Sequence, residues 1–358
     1  MKQSIKMFRL VFLFAFILVL VACGNSTESG SSTGSGSSTS SGDTKTDETV
    51  PVSGEDIPEM KFKLAHITPT DHMWHQAAEK FNEKLQELSG GKLSVEIYPA
   101  SQLGTEADMV QQVEAGSLDF ALITGAYLSA RTPEMAAWFA PYAFETLKEA
   151  DEASRTDVAR EILGKLEGTG LKGLDYLFAG QRVIVTKDKE IKSASDLEGL
   201  KMRVTPSPPL QDFYKSAGAA PEGLPLPEVY SALQTGVIDG MDMDLDATIT
   251  NKYSEVTKYV AVTNHMVWPS VIVTNEGMYE GLPENVSAIV DEALKEAIKF
   301  SVETRSAQEE EFKSELASQG MTVYELDKEV FKDQIEEFDA KYSGQSDLIK
   351  KFIETFRN

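Results

Sequence analysis

Two arginines in short β-branched segments are the residues best suited to hold an anion. Arg203 lies between the apolar Met202 and Val204, so its guanidinium should point to a different face from theirs. Arg182 opens the previous such segment, 21 residues earlier. An arginine can bind a carboxylate through two parallel N–H···O bonds, and it keeps its charge at ordinary pH. These positions predict either an anion site or arginines paired with structural acids, and Arg182 could also be a surface strand residue.

Three aspartates alternate along the segment that starts at Met241. Asp242, Asp244 and Asp246 carry only hydrogen-bond acceptors at neutral pH. If one of them faces a binding site, the ligand should offer hydroxyls, an amine or a bridging cation. The alternative is helix capping, because aspartate is favoured at an N-cap and a helix can begin near Ala247. The sequence leaves both interpretations open.

Few other residues are candidates for chemistry. His72 and His75 suit a metal pair at a helix start, but no third ligand follows at a diagnostic spacing, so we predict no metal site. The chain also has no nucleophile elbow, Gly-rich phosphate loop or zinc signature. We therefore expect a binding protein that uses no cofactor. A secreted enzyme acting on sugars or peptides is the alternative.

The elements that must position these side chains follow an α/β pattern. Residues 61–124 read as strand, helix, strand, helix, strand, which is typical of a layer built on a mostly parallel sheet. A second set of short strands and helices runs over residues 182–274, with a brief strand expected at 237–239 that enters a loop after Gly240. Two α/β lobes with a ligand cleft between them are the predicted fold.

A long helix is predicted in the last part of the chain. Pro283 opens it, and helical spacing continues from Glu284 to about Gln319, a stretch of 36 residues. Two further amphipathic helices are expected near residues 329–342 and 346–356. At about 1.5 Å per residue the long helix is longer than one small lobe, so we expect it to brace both lobes. The chain has neither the repeats nor the all-β patterning of an adhesin.

Charge and composition limit the possible partners. The chain has 358 residues, 41% of them hydrophobic, and a formal net charge of −23. A nucleic-acid partner is not expected, because phosphate backbones are bound by lysine and arginine. The charge suits a soluble monomer and repels anions at long range, so a local cationic pocket is needed to select an anion.

The N-terminus has the features of a lipoprotein leader. Residues 1–22 carry three basic residues, no acid and an unbroken apolar run that ends at the lone cysteine, Cys23. The sequence Leu20-Val-Ala-Cys23 resembles a bacterial lipobox, which implies lipidation of Cys23 and an extracytoplasmic, membrane-anchored protein; an unmodified cysteine after an ordinary signal peptide is the alternative. Residues 23–58 are rich in Gly, Ser and Thr and are predicted to form a flexible tether. Removing the leader would take the net charge from −23 to −26.

Several short motifs occur together in a fixed order between about residues 61 and 300. They resemble motifs of the solute-binding proteins of tripartite ATP-independent periplasmic (TRAP) transporters, the DctP family. The matching segments are Tyr98-Pro-Ala-Ser-Gln-Leu-Gly104, Val113-Glu-Ala-Gly-Ser-Leu-Asp-Phe120, Asp196-Leu-Glu-Gly-Leu-Lys-Met-Arg-Val204, Glu228-Val-Tyr-Ser-Ala-Leu-Gln-Thr-Gly-Val-Ile-Asp-Gly240 and Thr263-Asn-His265.

The resemblance implies a two-lobed, periplasmic-binding-protein-like receptor. Such a receptor closes on a small organic anion, such as a dicarboxylate, a hydroxy acid or a sugar acid, and delivers it to integral membrane subunits that use an ion gradient. The expected lobes are residues 59–180 with 269–307, and residues 181–268 with 308–358.

The resemblance also implies the residues that contact the ligand. Arg203 matches the arginine that grips the ligand carboxylate, and an arginine near the position of Arg182 also faces the ligand in many members. The match to the family's first ligand loop implies contacts from His66 and Asp71, and Thr124 and Tyr127 match cleft positions after the central strand. Apart from the resemblance, Trp268 is a candidate for an apolar wall of the cleft, and a place in the hydrophobic core is the alternative.

One segment departs from the family pattern. Many members place an amide residue three positions after the glycine that matches Gly240, followed by proline. This chain has Met243 and Asp244 there. Met243 cannot donate a hydrogen bond. The departure leaves open the identity of the solute and whether a cation binds with it through the aspartates.

Overall fold

The computed structural model describes residues 57–357. The predicted leader and nearly all of the predicted tether, including Cys23, lie outside these residues. The described part contains two β-sheets with helices packed around them. None of its helices is both long and apolar enough to span a bilayer.

The first sheet has five strands in the order β2-β1-β3-β10-β4. Its strands are β1 (Met60–Ala65), β2 (Leu93–Tyr98), β3 (Phe120–Thr124), β4 (Leu171–Gln181) and β10 (Val267–Asn275). Strands β1, β2 and β3 are parallel to one another, as the sequence predicted for this region. Strand β10 is antiparallel to both β3 and β4, so the sheet as a whole is mixed rather than mostly parallel.

The second sheet has six strands in the order β11-β9-β5-β8-β6-β7. Its strands are β5 (Val183–Thr186), β6 (Lys201–Val204), β7 (Ala220–Gly223), β8 (Gly240–Met243), β9 (Tyr259–Val262) and β11 (Thr322–Glu325). Strand β8 runs between β5 and β6 and pairs Val183 with Met243 and Arg203 with Met241. This register brings the start of β5 and the ends of β6 and β8 to one side of the sheet.

Twelve α-helices and five short 3-10 segments complete the described part of the chain. The α-helices are α1 (Met73–Ser89), α2 (Glu106–Glu114), α3 (Gly125–Ser129), α4 (Leu147–Ser154), α5 (Asp157–Gly164), α6 (Pro208–Ser216), α7 (Val229–Thr235), α8 (Leu245–Thr250), α9 (Glu276–Glu280), α10 (Glu284–Ser318), α11 (Lys332–Tyr342) and α12 (Asp347–Phe356). The 3-10 segments are Pro133–Phe139, Ala194–Leu197, Leu226–Glu228, Tyr253–Glu255 and Lys328–Phe331.

Helix α10 is continuous over its 35 residues, about 52 Å at 1.5 Å per residue. Its first half packs on α1 and β4, and apolar residues such as Ile289 and Ala293 join the larger hydrophobic core. Its last part packs on α8 and β11, and Leu316 joins a second core beneath the second sheet. The helix therefore braces both lobes, as predicted.

The segment before β8 differs from the prediction. Residues 237–239 form no strand, because the N–H groups of Val237 and Ile238 bond to the Ala232 carbonyl and end helix α7. The strand begins instead at Gly240, where a Cβ would lie 2.7 Å from the Val185 carbonyl oxygen. Residues 241–243 are thus strand rather than loop, and all three are buried.

Candidate functional site

A narrow cavity lies between the two sheets, where strands β1, β6 and β8 end. The cavity volume is only about 20 Å³. Ligands of α/β proteins commonly bind at the carboxyl ends of strands. Its wall is formed by Ile67, Thr68, His72, Trp74, Arg182, Arg203, Thr205, Leu226, Met243, Asp244, Ala247 and Trp268.

Five of the nine residues predicted to contact ligand lie on this wall. They are Arg182, Arg203, Met243, Asp244 and Trp268. Arg203, Met243 and Trp268 lie in β6, β8 and β10. Arg182 lies between β4 and β5, and Asp244 lies between β8 and α8, so only the tertiary fold brings the five together. Their role as ligand contacts stays a prediction.

The other four predicted contacts are not on the cavity wall. Asp71 is exposed at the surface. Thr124 caps helix α3, because its hydroxyl accepts a bond from the Tyr127 N–H at 3.0 Å. Tyr127 is half-buried and packs against the larger core. His66 lies behind the wall residue Thr68, 3.0 Å from its hydroxyl.

His66 is paired with a second histidine in this layer. Its Nε2 lies 3.1 Å from Nδ1 of His75. Burial and the neighbouring His75 lower the pKa of His66 to about 3, so the ring is neutral at physiological pH. His75 is therefore engaged with His66 and does not form a metal pair with His72. Within residues 57–357, no group of three acidic, histidine or cysteine side chains is arranged to hold a metal ion.

Arg203 is a buried cation with no acidic partner among the described residues. It is 2% exposed, and its Nε donates to the Leu224 carbonyl at 3.0 Å. No carboxylate oxygen of the described residues lies within 4.0 Å of its guanidinium. Burial lowers the pKa of Arg203 to about 10, so it is still charged at neutral pH. The interpretation as a structurally paired arginine thus does not fit Arg203, and its terminal nitrogens are available for an anion in the cavity.

Arg182 differs, because two aspartates neutralise it. Its Nε bonds Asp242 at 2.5 Å and its Nη1 bonds Asp244 at 3.1 Å. The indole of Trp268 lies over the guanidinium, 3.9 Å from carbon to ring centre, in a cation–π contact. The remaining nitrogen, Nη2, is buried and bonds to none of the described residues. Arg182 is thus a structurally paired arginine with one nitrogen that makes no hydrogen bond within residues 57–357.

Asp242 is the centre of a buried network below the cavity. Besides Arg182, it accepts bonds from the Tyr214 hydroxyl at 3.0 Å and from Nε2 of His265 at 2.9 Å. Burial alone would raise the pKa of Asp242, but Arg182 and His265 outweigh it and lower the pKa to about 2. Asp242 is therefore a structural acid and not a free acceptor.

Asp244 and Asp246 connect the second sheet to helix α1. Asp244 caps α8 by accepting the Ala247 N–H at 2.8 Å, which agrees with the capping interpretation. Asp246 accepts the Met73 N–H at 3.0 Å, across the gap between the two sheets. Nε of Arg305, on the long helix, lies 3.8 Å from Asp246. These acids join three elements at one end of the cavity.

Sequence reasoning missed several residues of this region. Thr205 lies two residues after Arg203, just past the end of the same strand, which was a usable signal. His72 was weighed only as a metal ligand, although it stands at the N-cap position of α1. Glu106 gave no signal in the sequence; burial raises its pKa to about 7, while the backbone N–H of Thr124, 2.6 Å away, and the charge of Arg203 lower it.

A family model described as "Bacterial extracellular solute-binding protein, family 7", named DctP, matches residues 64–347. The chain belongs to this family. A solute-binding protein of Roseobacter denitrificans is 31% identical over 298 residues, 83% of this chain and 90% of the relative. The 2,3-diketo-L-gulonate-binding periplasmic protein YiaO of Escherichia coli is 30% identical over 275 residues, 76% of this chain and 84% of that protein.

A solved structure supports the same assignment. The crystal structure of a TRAP periplasmic solute-binding protein from Roseobacter denitrificans, with bound L-galactonate, superposes with a TM-score of 0.78 at 29% identity and covers 85% of this chain and 100% of that one. This family 7 protein is therefore an extracytoplasmic solute receptor of a TRAP-type secondary transporter. It binds a small organic anion and delivers it to the membrane subunits.

Proposed function

We propose that the solute of this receptor is a sugar acid whose carboxylate is held by Arg203. The observation that carries the proposal is a buried guanidinium facing a cavity with no acid of the described chain within 4.0 Å. An uncompensated buried charge is unfavourable unless a partner arrives. A ligand carboxylate is such a partner, and Nη2 of Arg182 supplies a further donor beside it.

The relatives support the sugar-acid class. The Roseobacter structure holds L-galactonate, and a Bradyrhizobium structure at 29% identity holds D-galacturonate. The Escherichia coli relative binds 2,3-diketo-L-gulonate. A relative from Rhodobacter capsulatus at 28% identity instead binds C4-dicarboxylates, so a C4-dicarboxylate is the alternative hypothesis for the solute.

Binding requires the lobes to move apart and close again. The cavity is too narrow to admit a six-carbon acid as it stands. We take the lobes to be residues 59–180 with 269–307 and residues 181–268 with 308–358, so the chain crosses between them three times. Two crossings lie beside Arg182 and Trp268, and the third lies inside the continuous helix α10. Closure then bends this helix, and the ligand shifts the equilibrium toward the closed state by its better contacts there.

A thermal-shift panel of aldonates, uronates, C4-dicarboxylates and neutral sugars tests the proposal. We expect an aldonate or a uronate to raise the melting temperature most, because a ligand at 100 times its Kd adds about 2.7 kcal/mol to the free energy of unfolding. Mass spectrometry should recover the ligand unchanged, as for a receptor rather than an enzyme. A stabilising effect of dicarboxylates alone, or of neutral sugars, would contradict the sugar-acid proposal.

We further propose that the receptor acts as a monomer anchored by lipid on Cys23. The support is the lone cysteine directly after a basic and apolar leader, and the Gly/Ser/Thr-rich segment behind it. Replacing Cys23 with alanine should release the receptor from the membrane fraction of the bacterium without loss of folding. Ser26→Ala is the matched control and should stay with the membranes. Retention of the Cys23→Ala protein after a salt wash would refute the anchor.

A further inference from the structure

At one end of the cavity, the buried aspartates Asp244 and Asp246 lie close to His72. Nε2 of His72 lies 4.0 Å from Asp244 Oδ1 and 3.7 Å from Asp246 Oδ2. Both distances are too long for a direct hydrogen bond. His72 is 1% exposed and, with Asp244, lines the cavity.

The hydrogen bonds of α1 determine which nitrogen of His72 carries the proton. Nδ1 of His72 accepts the Trp74 N–H at 3.1 Å and caps the helix. In a neutral imidazole the other nitrogen then carries the hydrogen. Nε2 is therefore a donor, and no acceptor of the described residues lies within hydrogen-bond distance of it.

The two carboxylates are fixed acceptors. The Ala247 N–H holds Asp244 and the Met73 N–H holds Asp246. Both acids already have a cationic neighbour, Arg182 for Asp244 and Arg305 for Asp246. A further anion placed here would meet two carboxylates whose cationic neighbours already have acidic partners.

A ligand hydroxyl fits this arrangement. Nε2 of His72 and the nearest aspartate oxygens are 3.7–4.0 Å apart. An oxygen placed to one side of the line between them can lie about 2.8 Å from both, which is the usual hydrogen-bond length. Such an oxygen accepts from Nε2 of His72 and donates to an aspartate. A carboxylate cannot do both, because it has no hydrogen to donate.

We infer that His72 and Asp244 are specificity-determining residues that bind a hydroxyl of the solute and reject a second carboxylate. This inference rests on the proposed carboxylate binding at Arg203. It predicts that the receptor prefers monocarboxylate sugar acids to the aldaric acids that carry a carboxylate at both ends.

Calorimetric titration of the receptor with L-galactonate and galactarate tests the inference. The wild type should bind L-galactonate at least tenfold more tightly. Asp244→Asn keeps a good N-cap for α8 but removes the charge. It should reduce the preference for L-galactonate at least fivefold.

Two variants of His72 separate its contact with ligand from its capping of α1. Asparagine keeps an acceptor near the Nδ1 position and loses the Nε2 donor, so His72→Asn should bind L-galactonate at least fivefold more weakly at an unchanged melting temperature. Glutamine keeps a donor near Nε2 and loses the cap, so His72→Gln should melt lower but bind more tightly than His72→Asn. The inference would be overturned by equal affinities of the wild type and His72→Asn for L-galactonate. It would also be overturned if Asp244→Asn left the affinity ratio of L-galactonate to galactarate unchanged; neither result would contradict the proposed function. Failure of the wild type to bind L-galactonate or any other sugar acid would overturn the proposed function as well.

Discussion

Replacing Arg203 with alanine should weaken solute binding by a factor of about one hundred or more. Hydrogen bonds to charged groups contribute about 1.5–3 kcal/mol each, so loss of a bidentate pair removes at least about 3 kcal/mol. The closing cavity would also desolvate the ligand carboxylate without a partner. Arg203→Lys keeps the charge but loses the planar fork, and should show a smaller but clear loss.

The measurement is calorimetric titration with the sugar acid that gives the largest shift in the panel. Lys201→Ala is the matched control, because Lys201 is an exposed cation two residues earlier on the same strand. It should bind normally. The ligand-free melting temperature of Arg203→Ala should not fall, since Arg203 has no ion pair to lose. Near-normal affinity, or a collapse of that melting temperature, would show that Arg203 has a structural role instead.

Replacing Asp242 with alanine should greatly lower the free energy of unfolding of the ligand-free receptor, whereas Arg203→Ala should not. The change removes one of the two carboxylates paired with the buried Arg182 guanidinium and leaves Tyr214 and His265 without their shared acceptor. Breaking a buried ion pair by removing one partner costs about 3–5 kcal/mol. Urea denaturation should therefore show a much lower midpoint. Asp188→Ala is the control, because the Asp188 pair with Lys258 is exposed and should contribute at most about 1 kcal/mol.

The pH dependence gives a second readout for Asp242. Its pKa is about 2 in the folded chain against 3.8 for an unperturbed aspartate. A carboxyl with a lowered pKa stabilises the fold above the unfolded value, and this contribution is lost as the pH falls from about 4 to about 2. Between pH 5 and pH 3 the wild type should lose more stability than Asp242→Ala. Parallel curves for the two proteins would contradict the ionised network.

The elements that the sequence predicted well are those with local signals. Strands β1 and β2 alternate polar and apolar residues, and Pro283 precedes the long helix α10 as expected. Strand β4 was missed because Gly173, Asp175 and Gly180 interrupt its apolar pattern. Its stability comes from pairing with β10, nearly a hundred residues later in the chain. The edge strands β7 and β11 are short and largely exposed, so they carry little pattern of their own.

In the candidate site, as in the fold, local sequence signals reveal some features and miss others. Arg182 and Arg203 look alike in the sequence, as two arginines in two β-branched segments. Only the tertiary partners separate them, since Asp242 and Asp244 reach Arg182 and no described acid reaches Arg203. The proposed ligand contact of His72 depends on Asp244 and Asp246, about 170 residues away, and no spacing rule connects them.

Because helix α10 is continuous, the residues that it contributes to the two hydrophobic cores keep a fixed rotation about the helix axis relative to one another. One residue inserted between Val302 and Phe312 would turn everything beyond it by about 100° and advance it by about 1.5 Å. Leu316 would then rotate out of the second core while Ile289 and Ala293 stayed in the first. Surface loops of this receptor can change length during evolution. The middle of α10 can accept substitutions only, because the number of its residues sets the orientation of one lobe relative to the other.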